Sequence, residues 1–304
     1  MSNVRRAGVL GSPISHSLSP LLHNAAYQEL GLDWQYRAYD ITRGQLADFL
    51  NGCDETWVGL SLTMPLKEAV LPLLDDIDPL AQRVGAANTV TWAHGKRVGS
   101  NTDVAGMVAS IKSVAPATDW EPGTATVIGA GATARSALAA IALLPGGERC
   151  EVTIIARRPA AALELAHMGE QWGLKVQGAP EGIAQSLSGT SHLWQADLVV
   201  STLPGDAWEG ADLPCPQHVD GTGEHPFGDG TLGDVGQTLL MDVAYAPWPT
   251  RLTQVWQDAR APVATGADLL LWQAVGQIEM MTGLKAPVDR MRQVLSARLA
   301  AGES

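Results

Sequence analysis

The chain is short of positive charge, of cysteine and of long apolar runs, and each shortage removes a class of function. Twenty Lys and Arg stand against 32 Asp and Glu, a formal net charge of −12. A surface that acidic repels phosphate backbones and anionic lipid headgroups, so nucleic acid and membranes are excluded as expected partners. It also repels anionic small molecules at long range. Any anion site must therefore be assembled locally from Arg, Lys and backbone N–H groups. The three cysteines, Cys53, Cys150 and Cys215, are odd in number and widely spaced, with no CxxC or zinc pattern. That predicts reduced thiols in a cytoplasmic protein and no metal site. Residues Met1 to Arg6 lead into a strand-like stretch with no apolar leader core. The most apolar helix candidate, Ser136 to Leu144, falls far short of the roughly 20 residues that span a bilayer. There is no short-period repeat and no low-complexity tract.

What is present is a large apolar complement. Hydrophobic residues make up 46% of the 304 and charged residues 17%, enough to build a sizeable core. The length suggests two domains, at about 100–200 residues each. Strand and helix patterns alternate through the first hundred residues. Ala7 to Gly11, Trp34 to Ile41 and Trp57 to Thr63 read as strands; Pro20 to Leu30, Gly44 to Leu50 and Lys67 to Leu74 read as helices. Ser19 is an N-cap candidate ahead of Pro20, and Gly31 suits the far end of that helix. Asn88 to Trp92 and Arg97-Val98 flank a hairpin turn. A helix opens at Asp103 and runs to about Val114, and Pro116 to Gly123 reads as a linker.

A second series follows: strand Thr124 to Ile128, helix Ala134 to Leu144, strand Glu151 to Ile155, helix Pro159 to Trp172, strand Leu198 to Thr202 and strand Leu239 to Val243. Pro204 to Gly236 is rich in Gly, Pro and Asp and reads as loop. Two amphipathic helices, about Ala267 to Thr282 and Val288 to Ala300, close the chain. Such alternation predicts an α/β fold with mostly parallel sheets covered by helices.

The second series contains a glycine-rich turn, Gly129-Ala130-Gly131-Ala132-Thr133-Ala134, between a strand and a helix. In that context the first glycine makes the tight turn and the second lets a pyrophosphate approach the backbone. Ala134 is small enough for close packing, and N–H groups at the helix start bind the phosphates. The end of the next strand selects the cofactor. An acidic residue there holds the ribose hydroxyls of NAD; this chain has Ala156-Arg157-Arg158, and two guanidiniums favour the 2′-phosphate of NADP.

The first series carries polar side chains on its loops. Ser17 and Ser19 lie two apart, and in an extended segment both would face one way, suited to a carboxylate. Lys67 follows a buried strand and Pro65, at the end of a sheet where α/β proteins bind ligands. Asp103 taken alone is a helix N-cap. A hydride leaving a secondary alcohol carbon must be matched by loss of the hydroxyl proton, and a Lys–Asp pair can accept or return it. A free lysine amine is protonated at neutral pH. Lys67 therefore either releases its proton within the bound complex or mainly polarises and orients, and both readings stay open.

Six motifs in order resemble the shikimate dehydrogenase family over essentially the whole chain. They are Gly11 to Pro20, Leu62 to Lys67, Gly85 to Thr89, Asn101-Thr102-Asp103, the glycine turn, and Gly266 to Gln273. The resemblance implies a two-domain α/β enzyme that reduces 3-dehydroshikimate to shikimate with NADPH, a step toward chorismate and the aromatic amino acids. It implies that Ser17 and Ser19 hold the carboxylate and that Thr63, Lys67, Asn88, Asp103 and Gln273 surround the ring hydroxyls. Lys67 and Asp103 would be the catalytic pair, with Tyr245 reaching toward the substrate. Gly129 to Ala134, Arg157, Arg158, Thr202 and Gly266 would hold NADP. It further implies a discontinuous substrate domain, 1–103 plus 244–304, around a Rossmann-like NADP-binding domain, 104–243, with the cleft between them. Gly106 and the Asp242 to Pro249 crossover read as hinge positions. A homodimer is compatible with this reading.

Three departures from the family pattern stand out: Gly131-Ala132 for a Gly pair, Ala156-Arg157-Arg158 for Asn-Arg-Thr, and Ser61 where Asn is common before Leu62-Thr63. A quinate/shikimate or aminoshikimate dehydrogenase differs by one ring substituent and is the alternative within the class. A catalytically silent NADP-binding regulatory paralogue is the alternative outside it.

Overall fold

The computed structural model describes residues 4–178, 191–209, 213, 238–246 and 248–302. Cys215 and most of the Pro204 to Gly236 stretch lie outside the described residues. The chain divides into two compact units, 1–106 with 270–304, and 107–269.

The first unit is built on a six-stranded sheet of order β2-β1-β3-β5-β6-β4. Its strands are β1 (Arg5–Gly11), β2 (Trp34–Asp40), β3 (Trp57–Leu62), β4 (Asp76–Ile77), β5 (Thr89–Ala93) and β6 (Lys96–Ser100). β1 pairs in parallel with both β2 and β3, and β4 with β6; β5 runs antiparallel to β3 and β6. The β5–β6 hairpin is closed by His94-Gly95, both at positive φ, the two-residue turn whose twist matches the strands it joins.

On one face Leu10, Leu46, Leu50, Trp57, Leu60 and Leu62 form a core, with Tyr39, Phe49 and Trp57 ring centroids 5.3–5.6 Å apart. Helices α1 (Ser19–Glu29), α2 (Leu46–Asn51), α3 (Leu66–Ala69) and α4 (Pro79–Val84) connect the strands. The helix expected from Lys67 to Leu74 is shorter than predicted: α3 ends at Ala69 and a separate 3-10 turn covers Leu71–Leu73. Pro72 has no N–H to continue the ladder. α4 has no counterpart among the expected elements, although Asp78 accepts from the Ala81 N–H, Pro79 opens the helix and Gly85 closes it at φ 69.

The second unit is a fully parallel six-stranded sheet. Its strands are β7 (Thr124–Ile128), β8 (Glu151–Ile155), β9 (Lys175–Gly178), β10 (Leu198–Ser201), β11 (Leu239–Asp242) and β12 (Val263–Thr265), in the order β12-β11-β10-β7-β8-β9. β10 and β11 are buried along their whole length, as expected for strands covered on both faces. Helices α5 (Asp103–Val114), α6 (Ala132–Leu143), α7 (Pro159–Gln171), α8 (Ser191–Gln195) and α9 (Arg251–Asp258) precede or join these strands; α10 (Gly266–Thr282) then returns the chain to the first unit, which holds α11 (Val288–Ala300). Trp194 and Trp256 stack with centroids 4.0 Å apart inside this core.

Residues 244–269, expected in the first unit, fall with 107–243 in the second compact unit. β12 pairs with β11, Leu240 beside Val263 and Asp242 beside Thr265, so Val263–Thr265 complete the second sheet. The chain passes between the units at Gly106–Met107 and Leu269–Leu270. Among the described residues no helix is long and apolar enough to cross a membrane.

One buried group in the first unit makes stability depend on pH. His23 is fully enclosed on α1, stacked on Tyr36 at 3.9 Å between centroids. Burial pushes its imidazole from 6.5 down to about 3. Between those values the unfolded chain takes up a proton that the folded chain refuses, so stability is lost as pH falls below 6.5. The loss by about pH 5 is about 2 kcal/mol. Urea denaturation at about pH 7 and about pH 5 should show that extra loss in the wild type and not in His23→Gln; the same pH dependence in both proteins would contradict it.

Candidate active site

The register of the first sheet gathers its polar loops at one end. Ser61 pairs with Thr89, and Thr89 with Ser100. Residues just past β3, just before β5 and just past β6 therefore emerge together, and β1, parallel to β3, delivers Ser12 to Ser19 to the same end. Backbone bonds lock the arrangement: Leu62 N–H donates to the Asn88 carbonyl at 2.7 Å, Asn88 N–H to Ser100 at 3.0 Å, and Thr63 N–H to Leu10 at 2.9 Å.

Lys67 and Asp103 meet there. Leu66 N–H closes a turn onto the Thr63 carbonyl (2.8 Å), which starts α3 and places Lys67. Lys67 Nζ donates to Asp103 Oδ2 at 2.7 Å, with side chains 15% and 6% exposed. Asp103 does not cap its own helix. Asn101 does: its Oδ1 accepts from the Val104 N–H at 3.2 Å while its Nδ2 donates to the Ala86 carbonyl at 2.9 Å. The Asp103 carboxylate is thereby free for the site, and its Oδ1 accepts from Asn88 Nδ2 at 2.8 Å. Asn88 Oδ1 accepts from the Thr102 N–H at 2.8 Å. Asn88 Nδ2 also lies 3.4 Å from Gln273 Oε1, and Gln273 Nε2 donates to the Leu270 carbonyl at 3.0 Å.

Ser19 is not the N-cap that the sequence suggests. α1 starts at Ser19 itself, Leu18 is the cap residue, and no side chain caps the helix. The Ser19 N–H donates to Ser17 Oγ at 3.3 Å, which draws the two serines together. Thr63 is half-buried at the start of the Lys67 turn. The first unit thus joins an ammonium and a carboxylate, ringed by amides and hydroxyls, a set able to hold a polyol and pass a proton.

In the second unit the strand order reverses between β7 and β10, where doubly wound sheets bind ligands. Gly129 follows β7 at φ +111, and a Cβ built on it would collide with Thr202 Oγ1. Thr202, just past β10, donates its hydroxyl to the Ile128 carbonyl at 2.8 Å. Gly131 stands before α6 with open space around it, and α6 has no side-chain cap. Uncapped N–H groups beside a turn without side chains fit a pyrophosphate. Ala130, Ala132 and Thr133 are half-buried and Ala134 is buried against the sheet. The methyl of Ala132, where the family pattern has glycine, sits in the first residue of α6. Arg157 and Arg158 are exposed at the end of β8, the strand beside β7.

Tyr245 lies past β11, where burial raises its phenol pKa. Gly266, at the start of α10, serves a close approach: a Cβ there would collide with the Val243 carbonyl. Sequence reasoning placed Asp242 only at a hinge and missed its role as a buried hydrogen-bond acceptor. Its carboxylate accepts from Thr250 Oγ1 (2.5 Å), Thr253 Oγ1 (3.2 Å) and the Ala244 N–H (3.2 Å). Burial pushes this carboxyl up while those bonds pull it down. The available signal was Thr250, the N-cap of α9.

Comparison with known proteins gives two family matches: "Shikimate dehydrogenase substrate binding domain" over residues 9–90 and "Shikimate 5'-dehydrogenase C-terminal domain" over residues 266–295. The chain is 32% identical over 303 residues to the shikimate dehydrogenase (NADP(+)) of Nostoc sp., covering 96% of each. It is similar to the crystal structure of Mycobacterium tuberculosis shikimate dehydrogenase at 33% identity and TM-score 0.76, covering 96% of this chain and 99% of that one. A Thermus thermophilus shikimate 5-dehydrogenase in complex with NADP(H) and shikimate is 28% identical at TM-score 0.76, with 97% and 99% covered.

The turn makes its own prediction. Gly129→Ala places a methyl in a strained backbone region and against Thr202. Dinucleotide affinity should fall about tenfold or more in an NADPH fluorescence titration; wild-type affinity would refute the assigned role of this glycine.

Proposed function

The chain belongs to the shikimate dehydrogenase family, and from that premise we propose that it catalyses the reversible NADPH-dependent reduction of 3-dehydroshikimate to shikimate through Lys67 and Asp103. The observation that carries this reading is the 2.7 Å Lys67–Asp103 bond, with Asn88 on the second carboxylate oxygen. The bound cofactor supplies the hydride. The carbonyl carbon that receives it leaves an oxygen in need of a proton, and the Lys67 ammonium donates one. Asp103 stabilises the ammonium and holds it in place; in the reverse direction the Lys67 amine takes the hydroxyl proton. Atoms and charge balance: ketone, NADPH and one proton give alcohol and NADP+.

The same reading assigns the carboxylate of the substrate to the Ser17 and Ser19 hydroxyls, and its ring hydroxyls to Thr63, Asn88, Gln273 and Tyr245. The pyrophosphate lies on Gly129 to Ala134, with Thr202 and Gly266 shaping the backbone around it. Arg157 and Arg158 take the 2′-phosphate, since a planar guanidinium pairs well with phosphate oxygens. A cytoplasmic location is supported by the free thiols of Cys53 and Cys150.

Lys67→Met should lower kcat by about 10²-fold or more while the shikimate KM moves by only a few-fold; near wild-type kcat would remove Lys67 from the chemistry. Arg157→Ala should weaken NADPH by about tenfold and NADH much less. Equal weakening of both would show that the guanidinium does not read the 2′-phosphate.

A further inference from the structure

Asn88, which bonds Asp103, is tied into a buried polar network that runs back to helix α10. Its centre is Gln277, fully buried on α10, four residues and one turn beyond Gln273. Gln277 Oε1 accepts from Ser61 Oγ at 2.7 Å and faces His23 Nε2 at 3.3 Å. Gln277 Nε2 donates to Thr89 Oγ1 at 3.1 Å and to the Asn88 carbonyl at 3.3 Å. Thr89 Oγ1 donates to Asn88 Oδ1 at 2.9 Å, and Asn88 Nδ2 donates to Asp103 Oδ1 at 2.8 Å.

The order of donors fixes each orientation in turn. A carboxamide oxygen only accepts and its nitrogen only donates. Tyr36 OH donates to Ser61 Oγ at 2.5 Å, so the serine directs its own hydrogen to Gln277 Oε1. His23, kept neutral by burial, lies with Nε2 3.3 Å from Gln277 Oε1 and Nδ1 3.3 Å from the Tyr27 hydroxyl. The Ser61 hydroxyl at Oε1 sets the Gln277 amide, which turns its NH2 to Thr89. The threonine oxygen receives that hydrogen and points its own at Asn88 Oδ1. With the Thr102 N–H also on Oδ1, the Asn88 amide faces Asp103. Flipped, Asn88 would set a carbonyl oxygen against a carboxylate.

We propose that Gln277, acting through the Thr89 hydroxyl, is a positioning residue that aims Asn88 at Asp103 and so leaves the other carboxylate oxygen for Lys67. This rests on the reading of Lys67 and Asp103 as the proton-transfer pair. It also gives Ser61 a purpose: its short hydroxyl bridges Tyr36 and Gln277 under the sheet.

The experiment compares Thr89→Val, Thr89→Ser and Gln277→Met with the wild type in shikimate oxidation by NADP+, together with a crystal structure of T89V. T89V and Q277M should each lose about tenfold in kcat with the shikimate KM within about threefold, because a misaimed catalytic group affects the transition state more than binding. T89S, which keeps the hydroxyl, should stay within about twofold of wild-type kcat. In the T89V structure the Asn88 Nδ2–Asp103 Oδ1 bond should be broken. Wild-type kcat in T89V, a T89S as slow as T89V, a loss confined to KM, or an intact Asn88–Asp103 bond in T89V each overturns the proposal. A wild-type protein that does not oxidise shikimate would instead overturn the reaction assigned to the pair, and the T89V structure would then decide the positioning claim alone.

Discussion

An ammonium and a carboxylate held 2.7 Å apart in a largely enclosed site set the terms for everything around them. Removing two charges from water is costly unless the remaining lone pairs and protons find partners. Here the second carboxylate oxygen has Asn88, and Asn88 has the Thr102 N–H and Thr89 hydroxyl behind it. The neighbourhood of the pair is therefore polar and interlocked on the side away from solvent. Those same bonds keep two side chains from neighbouring loops in one geometry, the condition for proton transfer in a positioned site.

The two sheets solve different positioning problems. The mixed first sheet uses a hairpin: because β5 and β6 run antiparallel, the start of one and the end of the other reach the same end as β3. One carboxamide and one carboxylate, fifteen residues apart in sequence, are thereby made neighbours. The parallel second sheet uses strand order, placing the Gly129 turn beside Thr202 where the crossover direction changes. A fold of this kind accepts many substrates; what narrows it is the side-chain set at each sheet end.

Much of this was legible in the sequence because it depends on local chemistry. The strands of the second unit announce themselves as apolar runs, the Gly129 turn lies between such a strand and a helix, and Lys67 follows Pro65 at a strand end. What escaped depends on partners distant in the chain. β12 is three residues long, and only its pairing with β11 makes it a strand. Asp103 and Asn101 are both good helix caps by type, and the Ala86 carbonyl decides between them by engaging Asn101. Ser61 stood out in the sequence only as a departure from the family pattern, and its partners Tyr36 and Gln277 lie far from it in the chain. Gln277 carries no sequence signal beyond its one-turn spacing from Gln273.

The most direct test of the central claim is an initial-rate comparison by nicotinamide absorbance, pairing shikimate and quinate with NADP+ and NAD+ on the intact protein. The account predicts that shikimate with NADP+ is fastest, since the serine pair, the Lys67–Asp103 pair and the two arginines then all meet the groups assigned to them. Fastest turnover of quinate with NAD+, or no turnover of any pair, would contradict it.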